Sequence, residues 1–126
     1  MKLHRYLSRL HAAVLSRSEI IIEKLRYRCT AVDIGTIHGI LRFYDGSRLI
    51  FDEEVRLTKG RLVKGDYRYH YQDAAGNLIF RYDNAPHHRE VSTFPHHKHT
   101  PEGIVPSEMP DLVEILREID GLLYQR

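Results

Sequence analysis

The stretch TIHGILRFYDGSRLIFDEEVRL, residues 36–57, holds two β-rich runs on either side of Asp45-Gly46. Glycine accepts the positive φ at which a chain reverses, so Asp-Gly between two such runs is a hairpin cue. A second hairpin follows in DYRYHYQ and NLIFRYD, residues 66–72 and 77–83, joined through Asp73-Ala74-Ala75-Gly76. The intervening TKGRLVKGD reads as a basic connection with two glycines, and residues 20–32 upstream are β-like. The pattern predicts an antiparallel β-meander of four to five strands.

Helices flank it. Leu3, Tyr6, Leu7, Leu10, Val14 and Leu15 recur at spacings of mostly three or four, which predicts an amphipathic helix ending near Arg17. At the other end Leu112, Ile115, Leu116, Ile119, Leu122 and Leu123 form a second stripe. Pro110 and Asp111 suit its first turn and the positive end of its dipole. Two one-faced helices and a half-polar sheet imply an α+β domain over residues 1–126, with the N-terminal and C-terminal helices packed on one face.

Composition sets few limits. Of the 126 residues 42% are hydrophobic and 29% charged, ordinary globular usage that argues against disorder. The single Cys29 has no partner for an internal disulfide, and fits a reducing compartment as a buried or incidental thiol. No apolar run nears the ~20 residues that span a bilayer, and the N-terminal segment lacks a signal-peptide core. A soluble cytoplasmic protein is expected. Net charge is +2 and the pI about 8.7, which allows a nucleic-acid partner without demanding one.

The chemistry concentrates in RYDNAPHHREVSTFPHHKH, residues 81–99, which holds five of the nine histidines. From Asn84 to Ser107 there are four prolines and no regular period, so a long loop is expected, a feature that usually carries function or disorder. Tyr67, Tyr69 and Tyr71 alternate on their strand with Arg68, His70 and Gln72, and read first as a packed face. A tight turn at Ala74-Ala75 would set Arg68 opposite Arg81, whereas a type I turn with a Gly76 bulge would set Tyr69 opposite Arg81 and Tyr67 opposite Asp83.

Two chemistries suit the histidines. Imidazoles at His87, His88, His96, His97 and His99 are zinc-ligand types, but no thiol lies nearby and Lys98 would add positive charge beside a cation. Metal-free phosphodiester cleavage needs a base, an acid and cations for the phosphorane-like transition state. Two of His70, His87, His88, His97 and His99 would move protons, Arg81, Lys98 and Arg68 would meet phosphate, and Asp83 would orient an imidazole. A solvated loop without chemistry is the third option, and Asp83-Asn84 is also ordinary turn chemistry.

FYDGSRLIF, YRYHYQDAAGNLIFRYDNAPHHREVSTFPHHKH and EILREIDGLL resemble the TumE family, small bacterial and archaeal toxins of toxin–antitoxin pairs. The likeness runs from about Gly39 to Leu123. It covers Tyr69, His70, Arg81, Asp83, Asn84, Pro86, His87 and His88, then Pro95, His96, His97, Lys98 and His99. The N-terminal helix, with His4 and His11, aligns least. The resemblance implies a cognate antitoxin, commonly a small helix-turn-helix DNA-binding protein, and leaves the target and any homodimer open. Combined with the chemistry, it yields the expectation of a metal-independent endoribonuclease toxin, with Tyr69, Asn84 and His96 joining Arg68 as substrate contacts. The alternatives are a zinc-dependent nuclease or hydrolase and a non-catalytic toxin that sequesters a partner.

Overall fold

The computed structural model describes residues 2–17 and 19–124. Helix α1, Lys2–Leu15, is followed by strands β1 (Ile21–Ala31), β2 (Ile34–Arg42), β3 (Arg48–Thr58), β4 (Arg61–Gln72), β5 (Leu78–Asp83), β6 (His97–Thr100) and β7 (Gly103–Pro106). Helix α2, Leu112–Leu123, closes the chain. The seven strands form one antiparallel sheet in sequence order, so the α+β class holds while the four to five strands expected become seven.

Two segments account for the difference. TKGRLVKGD is not a connection: Lys59 and Gly60 both have positive φ, 51° and 75°, and turn β3 directly into β4. Two consecutive left-handed residues suit the twist of a two-residue hairpin, although lysine rarely occupies the first of them. The expected long loop likewise ends at His96, after which β6 and β7 form a small hairpin on the edge of β5.

Both helices cover one face. Leu3, Tyr6, Leu7, Leu10 and Val14 of α1 and Leu112, Ile115, Leu116 and Ile119 of α2 are buried in a single cluster with Ile37, Leu41, Leu49, Phe51, Val55, Tyr67, Tyr69, Tyr71 and Phe80 of the sheet. Leu15 and Leu122, read as part of the stripes, are exposed. The three tyrosines are the packed face that alternation suggested. Tyr69 is wholly buried and donates a 2.5 Å hydrogen bond to Glu53, a buried carboxylate that also accepts from Tyr6. Lys64 reaches the same group, 3.8 Å from Glu53, and donates to the Tyr69 hydroxyl at 2.6 Å. Burial lowers the Lys64 pKa and raises those of Tyr6 and Tyr69. A buried charge is tolerated only with such partners.

The other face carries no helix, and β-bulges decide what it displays. Opposite Glu53 and Val55, strand β4 offers Tyr67 and then Lys64, leaving Gly65 and Asp66 as an irregularity. Asn84 mends this break, its Oδ1 accepting from the Tyr67 N–H at 3.1 Å while its Nδ2 donates to the Gly65 carbonyl at 3.1 Å. A bulge strands backbone groups that something must satisfy.

Between β4 and β5 neither expected register persists. Gln72 pairs with Leu78, as the type I turn requires, with Gly76 at φ 92°. Ile79 is then an extra residue, and beyond it His70 faces Arg81, Tyr69 faces Tyr82 and Arg68 faces Asp83. Two rows consequently cross the open face: His38, Asp52, Arg68, Asp83 and His97, and beside it Ile40, Ile50, His70, Arg81 and His99.

Candidate functional site

Asp83 ends β5 in the first of these rows, 7% exposed, and its neighbours in the register bring imidazoles onto it. Because strand side chains alternate, His97 and His99 of β6 share the open face, and Lys98 between them points the other way. His97 Nε2 lies 3.0 Å from Asp83 Oδ1, His99 Nε2 lies 3.3 Å from Asp83 Oδ2, and the two Nε2 atoms are 3.0 Å apart. His97 is 2% exposed, and its Nδ1 donates to the Pro95 carbonyl at 2.8 Å. That bond fixes the proton on Nδ1 and leaves Nε2 for the cluster.

His88 completes the group from the β5–β6 segment. Its φ of 62° is unusual for a residue with a side chain, and this backbone turns its ring to 5.2 Å from His97 and 5.6 Å from His99, centroid to centroid. One ring nitrogen from each of His88, His97 and His99 lies within 4.8 Å of the others. Burial lowers the His99 pKa, and His97, Arg81 and His88 add to that against the opposing pull of Asp83.

Arg81 and His70 lie next to the cluster. Arg81 Nε donates to His70 Nδ1 at 3.2 Å, and an arginine cannot accept, so the His70 proton sits on Nε2 and is donated to Gln72 Oε1 at 3.1 Å. Both His70 nitrogens are therefore engaged. Its pKa is lowered by burial and by the Arg81 charge. Arg68 is paired with Asp52 at 3.0 Å. A shallow depression of about 370 Å³ runs between Arg68, Arg81, Asp83 and Pro86. It shares Asp66, Tyr67 and Arg68 with a broader one of about 490 Å³ that continues past His38 to Arg26 and Arg28.

The structure thus brings together Asp83, His88, His97, His99, Arg81, His70 and Arg68. Other expected residues lie elsewhere. Lys98 is on the helix-covered face, bonded to Glu118 at 2.7 Å beneath α2. Tyr69 is in the core, and Asn84 is spent on the β4 bulge. His96 stacks on Tyr67 and bonds its hydroxyl at 2.9 Å, while His87 is exposed with its ring 6.5 Å from that of His88. Cys29 is exposed on β1 rather than buried. Sequence reasoning passed over Arg26, Arg28 and His38. The alternation of β1 and β2, continued across the sheet, is the signal that places them on the open face.

This is a small α+β protein with an imidazole–carboxylate cluster on the helix-free face of an antiparallel sheet. The sequence model of the family described as Toxin TumE matches residues 11–123, and the chain belongs to that family. None of the curated proteins and none of the solved structures compared with it matches. A toxin of this kind implies a cognate antitoxin. Among the described residues no helix is long and apolar enough to cross a membrane.

Proposed function

We propose that this toxin is an endoribonuclease acting on messenger or transfer RNA, with its centre at Asp83, His88, His97 and His99. The observation that carries the reading is the convergence of two imidazoles on one buried carboxylate, with the His88 ring packed against both, beside Arg81 and on a face no helix covers. A phosphodiester laid in the depression would meet the Arg81 guanidinium, which stabilises charge gathering on the phosphoryl oxygens. His70 holds that guanidinium in place. Imidazoles take the 2′-hydroxyl proton and return one to the leaving 5′-oxygen. Arg26, Arg28 and Arg68 also line the continuing groove, alternating there with Asp52, Glu54 and Asp66, so a strand would follow its basic side, where Arg26 and Arg28 stand. The partner is a small helix-turn-helix DNA-binding antitoxin.

The metal-free version of this chemistry is the one the residue types and the family resemblance suggest. One observation favours the zinc-dependent version instead: Lys98, whose charge spoke against a cation, is on the opposite face.

The test is cleavage of a synthetic RNA by the purified full-length chain, with the same oligonucleotide carrying 2′-deoxy substitutions as control. Cleavage of the first, and 5′-end sequencing of RNA from briefly induced cells that shows new ends, would support the reading. Growth arrest with every RNA intact would sink it in favour of sequestration of a partner.

A further inference from the structure

We infer that Asp83, His88, His97 and His99 form a binding site for one zinc-class divalent cation. The inference shares its residues with the endoribonuclease reading and rests on the zinc-dependent version of it for any catalytic meaning, since an imidazole bound to a cation no longer carries the proton; binding itself can be tested without RNA.

Three imidazole nitrogens lie within 4.8 Å of one another, and the Asp83 carboxylate touches two of these rings. Ligand atoms about 2.1 Å from a tetrahedral zinc lie roughly 3.3 Å from one another. The separations observed are 3.0 Å for His97 to His99, 3.0 Å for His97 to Asp83 and 3.3 Å for His99 to Asp83. These separations match three edges of such a polyhedron, Asp83 offering Oδ1 to His97 and Oδ2 to His99, and the His88 nitrogen lies within 4.8 Å of those of the other two imidazoles.

The Pro95 contact adds an orienting argument. A carbonyl only accepts, so a proton sits on His97 Nδ1. Nε2 is thereby aimed at a carboxylate oxygen and at another imidazole, inside a site where His97 is 2% exposed. Positive charge, as a proton or as a cation, must lie among the three atoms. Lys98 does not supply it, being bonded to Glu118 across the sheet. A backbone carbonyl behind a ligand imidazole is also the usual outer support of a metal-bound histidine.

His88 points the same way. A left-handed backbone at a residue with a side chain is strained and persists where surrounding structure demands it. Here it delivers a third ring nitrogen to the group. Three nitrogens, one carboxylate and no thiol select a cation of the zinc, cobalt or nickel type over magnesium or calcium.

The test uses the full-length chain on a histidine-free tag, separated from its antitoxin, stripped with a chelator and titrated with zinc chloride against a colorimetric zinc indicator. One equivalent should bind, raise the melting temperature by several degrees, and give tetrahedral absorption bands when cobalt(II) replaces zinc. His99→Gln and His88→Ala should weaken binding at least about tenfold, while His87→Ala and His96→Gln leave it within about twofold. Should His99→Gln fail to fold by circular dichroism, His88→Ala, at a half-buried position outside the strands, carries the comparison. No zinc above background, or affinity unchanged in His88→Ala and His99→Gln alike, overturns the inference. RNA cleavage that continues in chelator by a chain that binds no zinc would overturn it and leave the endoribonuclease standing, with a proton filling the cluster. Zinc bound as expected by a chain that cuts no RNA upholds the inference and removes the activity.

Discussion

His97 and Lys98, adjacent in the chain, face opposite sides of the sheet: His97 Nε2 is 3.0 Å from Asp83, and Lys98 Nζ is 2.7 Å from Glu118. Two neighbours in one histidine-rich motif thus serve different ends. His97→Ala should abolish growth inhibition. Lys98→Met should leave it intact and lower stability by only about 1 kcal/mol, because the ion pair is partly solvated. Growth curves on induction, with urea unfolding of both variants, decide this. Loss of toxicity in a stably folded Lys98→Met chain would return Lys98 to the site.

Asn84 stands next to Asp83 and closes the β4 bulge with both ends of its amide. Removing it leaves two backbone groups to find water. Asn84→Ala should therefore cost about 2 kcal/mol. Asn84→Asp, which keeps the acceptor and loses the donor, should fall between wild type and alanine in the same urea titration. Equal stability of all three would show that the bulge needs no partner.

Gly39 lies under the Phe51 ring, where an added Cβ would sit 2.4 Å from a ring carbon. Gly39→Ala should destabilise by about 2 kcal/mol through overpacking. Adding Phe51→Leu should restore part of the loss, so that the double variant is more stable than the sum of the single changes suggests. Strict additivity would rule out this contact as the cause.

Burial raises the pKa of Tyr6, Tyr67, Tyr69, Tyr71 and Tyr82, with the Glu53 charge adding at Tyr6 and Tyr69. The folded chain therefore holds these protons when the unfolded chain, titrating near 10, has released them. Their contribution to stability is complete below about pH 10 and is lost as pH rises beyond it. Lys64, shifted down, works the other way: stability grows between its folded pKa and about 10.5, where its unfolded form titrates. Stability above pH 10 should fall steeply, with tyrosinate absorbance appearing together with loss of circular dichroism. Tyr71→Phe should make the fall shallower. Tyrosinate absorbance exceeding what the three exposed tyrosines, Tyr27, Tyr44 and Tyr124, can give while circular dichroism is still native would contradict this account.

Much of the fold was legible because local chemistry and burial agreed. Asp45-Gly46 and Asp73 to Gly76 mark their own turns, since Gly46 and Gly76 take positive φ and the aspartates accept from nearby backbone N–H groups. Strands β6 and β7 were hidden because four-residue edge strands bearing two histidines, a lysine and a terminal proline lack an apolar period. The turn at Lys59-Gly60 was hidden because lysine seldom adopts a left-handed conformation. In the candidate site the residue types were readable and their faces were not. Alternation assigns Lys98 to the helices only once residues 97–100 are known to be a strand. The extra Ile79, which sets Arg81 opposite His70, leaves no mark in composition.

The pairing of β6 on β5 also bears on when the molecule becomes dangerous. Asp83 is made before His97 and His99, and it meets them only when the final hairpin docks in one alignment, Arg81 to His99 and Asp83 to His97. A slip by one residue would thrust the Lys98 ammonium into the cluster and turn both imidazoles toward Glu118. A nascent or mispaired chain accordingly has no assembled centre. If the proposed centre is the seat of toxicity, harm is postponed until the last strands are in place, which gives a newly made antitoxin an interval in which to find its partner before the toxin is armed.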